Sequence, residues 1–230
     1  WAVVVLPFAN EEVGGLHFRT YIRDLDGDFR RDWQRVGGEG FALHGPSFSP
    51  DSQRLSVLRD TDDGTHVAIF ELTKPRGPYR VVSDLPNSTL AYKWLEQPDE
   101  LCCLGADLDG TRRIWVWRSG FWTPVSPPDR AIVDYTTYGR DITYIYEDEG
   151  EVVIIICDDV GEEKRRILGT RAKGRMCYSP DGTTLTFVAP GELEVEHICL
   201  FDLERDTEFV EPLGEQCVGV ITSFDWHRDG

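Results

Sequence analysis

The chain has 230 residues, of which 40% are hydrophobic and 28% charged, with a formal net charge of −17. Its 7 Trp, 8 Tyr and 11 Phe bury too much area for a disordered chain, and no apolar run approaches the roughly 20 residues of a membrane helix. So acidic a surface cannot release counterions from a nucleic-acid backbone; it favours cationic partners. Beginning at Trp1 rather than Met, the chain reads as processed or excerpted, and a removed signal would leave no trace.

In chain order, residues 1–6 (Trp-Ala-Val-Val-Val-Leu) read as a strand. Five segments then repeat one pattern of an aromatic, a turn usually rich in Pro, Asp or Gly, and a short alternating strand. They begin at Phe48, Trp94, Tyr135, Tyr178 and Trp226, in steps of 46, 41, 43 and 48 residues. A period in the forties with several strands per unit marks a propeller blade. After each turn comes a strand (54–59, 101–105, 142–146, 184–188), then a longer one (66–72, 113–118, 151–157, 197–202) and a more polar last one, as at 78–82 and 207–210. No stretch gives an amphipathic helix.

The termini complement each other. Residues 219–230 supply a first strand and its Asp229-Gly230 turn, and residues 1–6 supply the next. The expectation is an all-β, single-domain, five-bladed propeller over 1–230, built of four-stranded antiparallel blades and closed by pairing of the N- and C-terminal strands. The competing reading is a five-unit excerpt of a larger ring.

Ser47-Phe48-Ser49-Pro50-Asp51-Ser52 and Tyr178-Ser179-Pro180-Asp181-Gly182 resemble the Ser-Pro-Asp-Gly repeat of TolB-like propellers, relatives of the WD-repeat class. Ser52 departs from the repeat, and the remaining units keep only the aromatic and part of the turn. The resemblance implies a propeller fold and little about activity, since such rings serve as periplasmic scaffolds, as gates of peptidases and as enzymes. A peptidase would need its own hydrolase domain, and no G-x-S-x-G is present.

The resemblance also implies that the first strand of each blade borders a central channel with ligands at its mouth. The residues just before the aromatics are Ser47, Lys93, Asp134, Cys177 and Asp225. Asp134 and Asp225 could share an acid/base role tuned by Lys93, or all five could form a satisfied ionic ring. Nearby, His44, Arg130, Lys173 and Arg175 could hold a carboxylate or phosphate, or be ordinary loop charge. Ser47 and Cys177 join these as ligand-binding candidates.

The hairpins between second and third strands carry acids: Glu11 and Glu12; Asp60, Asp62 and Asp63; Asp107 and Asp109; Glu147, Asp148 and Glu149; Glu192 and Glu194. Together they predict a negative rim that docks a basic protein or an amine, or else solvated turns. The Asp-Gly turns at 24–28, 60–64 and 107–110 lack the full calcium loop, so no metal and no cofactor is expected. Trp115, Trp117 and Trp122 read as wedges between blades. The six cysteines form no metal or disulfide spacing; those at 102, 103, 157 and 199 sit in apolar runs and read as buried reduced thiols. That leans toward a cytoplasmic location.

The functional expectation is a monomeric propeller that binds a small molecule or a basic protein at the channel mouth or acidic rim. The alternative is an enzyme using the channel-mouth acids on a small amine-bearing or cationic substrate. A glycoside hydrolase built on Asp134 and Asp225 ranks below both.

Overall fold

The computed structural model describes residues 2–9, 16–23, 33–37, 43–61, 64–190 and 196–211. Every regular element among them is a β-strand, and every strand pair is antiparallel. The chain divides into two compact units, Trp1–Leu85 and Pro86–Gly230.

The first unit holds a three-stranded sheet of β1 (Ala2–Ala9), β2 (Leu16–Arg23) and β3 (Gln34–Arg35), in that order. A four-stranded sheet follows, of β4 (Leu43–Phe48), β5 (Arg54–Thr61), β6 (Gly64–Glu71) and β7 (Arg80–Val82). Period-two alternation sends one set of side chains inward. Ile22 and Val36 thus pack against Leu55, Val57, Ala68 and Phe70. The buried Thr20 hydroxyl donates to the Leu43 carbonyl at 3.0 Å, tying the two sheets together.

The second unit holds three four-stranded sheets, each in sequence order. They are β8 (Asn87–Trp94), β9 (Leu101–Ala106), β10 (Arg112–Arg118) and β11 (Phe121–Pro124); β12 (Ile132–Tyr138), β13 (Asp141–Asp148), β14 (Glu151–Cys157) and β15 (Glu163–Thr170); and β16 (Gly174–Tyr178), β17 (Thr184–Pro190), β18 (Glu196–Asp202) and β19 (Thr207–Glu211). The middle sheet is buried on both faces. Ile142, Tyr144, Val153 and Ile155 enter one core with Cys102, Leu104, Ile114 and Val116. Ile145, Ile154 and Ile156 enter another with Leu185, Phe187 and Phe201. Double burial is why Val152 to Cys157 reads as an unbroken apolar run rather than an alternating one. Each fully buried Ile contributes about 1.5–3 kcal/mol. First strands lie together, with β12 beside both β8 and β16. This is a propeller arrangement of four-stranded antiparallel blades.

Five blades are expected from the sequence. Among the described residues four blades are complete, and β1–β3 supply three strands of a further one. The expected pairing of 1–6 with 219–226 falls on residues 212–230, outside the described residues.

The Ser-Pro-Asp turns fix the junction between first and second strands. Ser49 Oγ donates to Asp51 Oδ1 (2.6 Å) and accepts from the Arg54 amide (2.9 Å), while Asp51 Oδ1 also takes the Gln53 amide (3.0 Å). Ser179, Asp181, Thr183 and Thr184 repeat this pattern at 2.6, 2.9 and 3.1 Å. Hydrogen bonds from the serine hydroxyl and the backbone hold both carboxyls below their ordinary value.

The five described cysteines are free, and Cys102, Cys103, Cys157 and Cys199 are buried. Burial pushes the thiols of Cys103 and Cys157 up to about 12 and that of Cys199 to about 11. Cys217 lies outside the described residues.

Candidate functional site

Strand pairing sets the positions that the repeat aligns. Phe48 faces Leu55, Trp94 faces Leu101 and Tyr178 faces Leu185. The corresponding residue in β12 is Thr137, opposite Ile142, and not Tyr135. The cause is turn length: β12 and β13 are joined by Gly139-Arg140 alone, so counting from an aromatic shifts this unit by two residues. Tyr135 is instead buried, and its hydroxyl donates to the Cys102 carbonyl at 2.9 Å. The residue in register with Ser47, Lys93 and Cys177 is therefore Thr136, opposite Thr143, as Lys93 is opposite Cys102.

Lys93 confirms this geometry, since its Nζ donates to Thr136 Oγ1 at 3.0 Å and lies 6.0 Å from the Tyr135 ring centre. Asp134 sits two residues earlier, opposite Ile145. One of its oxygens, Oδ2, accepts from the Arg175 and Met176 amides, the latter at 3.4 Å. Arg175 has φ 55° and Gly174 φ 128°, so the chain bends into β16 over this carboxylate. Asp134 acts here as a clasp between first strands. Asp225 lies outside the described residues, and His44 is placed on β4 opposite Leu58.

The basic candidates separate. Arg130 pairs with Asp148 at 2.6 Å and lies 5.3 Å from the Tyr146 ring centre. Arg175 pairs with Glu196 at 3.2 Å. Lys173 alone of these lines a cavity of about 530 Å³. The floor of that cavity is apolar, made by Ile145, Val152, Ala172 and Pro190, with the 40% exposed Val133 at its rim. Glu147 and Glu151 come from the β13–β14 hairpin, Thr170 from the end of β15, and Arg171 and Lys173 from the link between β15 and β16. Tyr146 completes the wall.

Charge pairing singles out this place. Within Pro86–Gly230, Lys93 bonds Thr136, while Arg112 and Arg113 bond the carbonyls of Val133 and Ser126. Arg118, Arg130, Arg140, Lys164, Arg165, Arg166, Arg175 and Arg205 are all in ion pairs. Among the described residues of this unit, the cationic side chains with no ion-pair or hydrogen-bond partner are Arg171 and Lys173, and both line the cavity. Thr170 is only 7% exposed, and its hydroxyl has no partner among the described residues. Sequence reasoning reached Lys173 but missed Arg171 and Thr170. The signal available was a second cation two residues before the first, in the same strand-to-strand link.

No family model matches the sequence, and no curated protein matches it. Solved structures do. A protein assigned as TolB from Agrobacterium tumefaciens superposes with a TM-score of 0.62 at 17% identity, over 90% of this chain and 80% of that one. The fold is a TolB-like β-propeller. TolB from Acinetobacter baumannii gives 0.61 at 15% identity, over 84% of this chain and 48% of its own. A puromycin-hydrolysing peptidase from Mycobacterium tuberculosis gives 0.66 at 16%, over 91% of this chain and 35% of its own. This TolB-like chain therefore spans about half and about a third of the last two. Among the described residues no helix is long and apolar enough to cross a membrane. On this TolB-like scaffold the cavity can hold a ligand by apolar contact, with opposite charges at its rim to orient it.

Proposed function

We propose that the chain is a non-catalytic, WD-repeat-like binding propeller and that its ligand site is the cavity walled by β12–β15, Lys173 and Pro190. The observation that carries this reading is the pair of unspent cations, Arg171 and Lys173, at the mouth of an apolar cavity of about 530 Å³. Small-ligand sites commonly enclose about 300–1,000 Å³ with few polar groups to orient the guest. The acid/base alternative has less support, because the Asp134 carboxylate is occupied by backbone amides. Docking of a basic protein on the acidic hairpins also has less: Asp107 takes the amides of its own turn, and Asp148 is paired with Arg130. In this reading the chain works as a monomer, and its buried free thiols suit the cytoplasm.

Val133 is 40% exposed at the cavity wall, so Val133→Trp blocks the mouth without disturbing the core. Saturation-transfer NMR with a panel of amino acids, short peptides, nucleotides, sugars and organic acids tests the site. The expected result is a signal from at least one class that disappears in Val133→Trp. A panel without signal, or a signal the substitution leaves intact, overturns the reading.

A further inference from the structure

Four charged side chains line the cavity without an ion-pair partner among the described residues, two of each sign: Arg171 and Lys173, and Glu147 and Glu151. On a chain of net charge −17 that balance is local. We propose that the cavity is a receptor site for a small zwitterion with an apolar side chain, of amino-acid to dipeptide size and with both termini free. The proposal deepens the binding reading above and rests on it. Arg171 and Lys173 take the carboxylate, Glu147 and Glu151 take the ammonium, and the Ile145–Val152–Ala172 floor takes the side chain.

A simple anion would have to approach against the field of the whole protein, whereas a molecule of zero net charge pays no such cost. Exposed cations on so acidic a chain ordinarily find carboxylates, as the other arginines of this unit do, so two left unpaired beside an apolar hollow are available to a guest.

The test uses the intact chain and Leu-Leu with free termini, compared with Leu-Leu-amide and N-acetyl-Leu-Leu, by isothermal titration. Free Leu-Leu should bind, and either cap should weaken it about tenfold, as expected when one charge-assisted contact is lost. Arg171→Gln with Lys173→Gln should remove the penalty for the amide, and Glu147→Gln with Glu151→Gln the penalty for the acetyl group. General attraction of a cation to this acidic chain would favour the amide, so a penalty against it cannot arise that way. Equal binding of all three peptides that Val133→Trp still abolishes overturns the zwitterion and leaves the cavity as a site. Failure of Leu-Leu to bind overturns the zwitterion as well. Peptide binding that Val133→Trp leaves intact removes the site itself.

Discussion

The ring of Tyr138 occupies the space that a β-carbon on Gly182 would need. Gly182 has φ 74°, and the Tyr138 hydroxyl reaches the Pro180 carbonyl at 3.4 Å, so one blade's first strand is seated on the next blade's Ser-Pro-Asp-Gly turn. The glycine thus meets two demands at once, a left-handed backbone and a close aromatic neighbour. Ser52 holds the matching position of the other such turn with φ 54°.

Gly182→Ala should therefore cost about 2–4 kcal/mol in denaturant unfolding, the sum of the left-handed penalty and overpacking. Adding Tyr138→Ala should recover the packing part and leave the backbone part. Ser52→Gly should stabilise by up to about 1 kcal/mol, having only the backbone penalty to remove. A Gly182→Ala protein as stable as the parent would show that the ring yields freely.

Asp134→Ala should lower stability by about 1–3 kcal/mol, because two amides at the start of β16 lose their acceptor. Asp134→Asn keeps one carbonyl oxygen and should lose less. If neither variant shifts the unfolding midpoint while ligand binding disappears, Asp134 is a binding residue and not a clasp.

The repeat carried most of this architecture, because each blade must bury an alternating strand and turn at a similar interval. The strand at 151–157 and the more polar outer strands were legible from apolar runs and alternation alone. The register of β12 was not. An aromatic marks the first strand in three units, but the two-residue turn at Gly139-Arg140 breaks the count, and Tyr135 is aromatic for a different reason, its hydroxyl bond to Cys102. The cavity was legible only through Lys173. Which cations remain unpaired depends on which carboxylates the fold brings near, and no linear pattern states that.

Alkaline pH should destabilise the chain. The thiols of Cys103 and Cys157 are raised from about 9 to about 12 in the folded state, chiefly by burial, as is the Tyr178 hydroxyl from 10 to about 12. Below their unfolded values these groups are neutral in both states. Between about pH 9 and 12 the unfolded chain has released protons that the folded chain retains, so stability falls as pH rises. Urea midpoints at pH 8, 9.5 and 10.5 should decline in that order, and Cys103→Ala should flatten the decline. Iodoacetamide at pH 8 should leave both thiols unmodified until denaturant is added.

The strongest polar dependence should be at Asp159, which is 4% exposed and receives Arg118 at 2.5 Å and Arg140 through two nitrogens at 2.9 and 2.5 Å. Arg118 also bonds Glu100 Oε1 at 2.5 Å, so residues from the β8–β11 and β12–β15 sheets meet on one carboxylate. Removing Asp159 takes away the charge-assisted hydrogen bonds of both arginines, which stay in contact with water. Asp159→Ala should cost about 1.5–3 kcal/mol through its lost charge-assisted hydrogen bonds, whereas truncating the exposed Asp206, which pairs with Arg165 at the surface, should cost about 1 kcal/mol or less. Salt should separate the two: the penalty at Asp206 should vanish by about 1 M NaCl, and that at Asp159 should persist because burial limits screening. Equal penalties, or an Asp159 penalty that salt removes, would place this network among ordinary surface pairs.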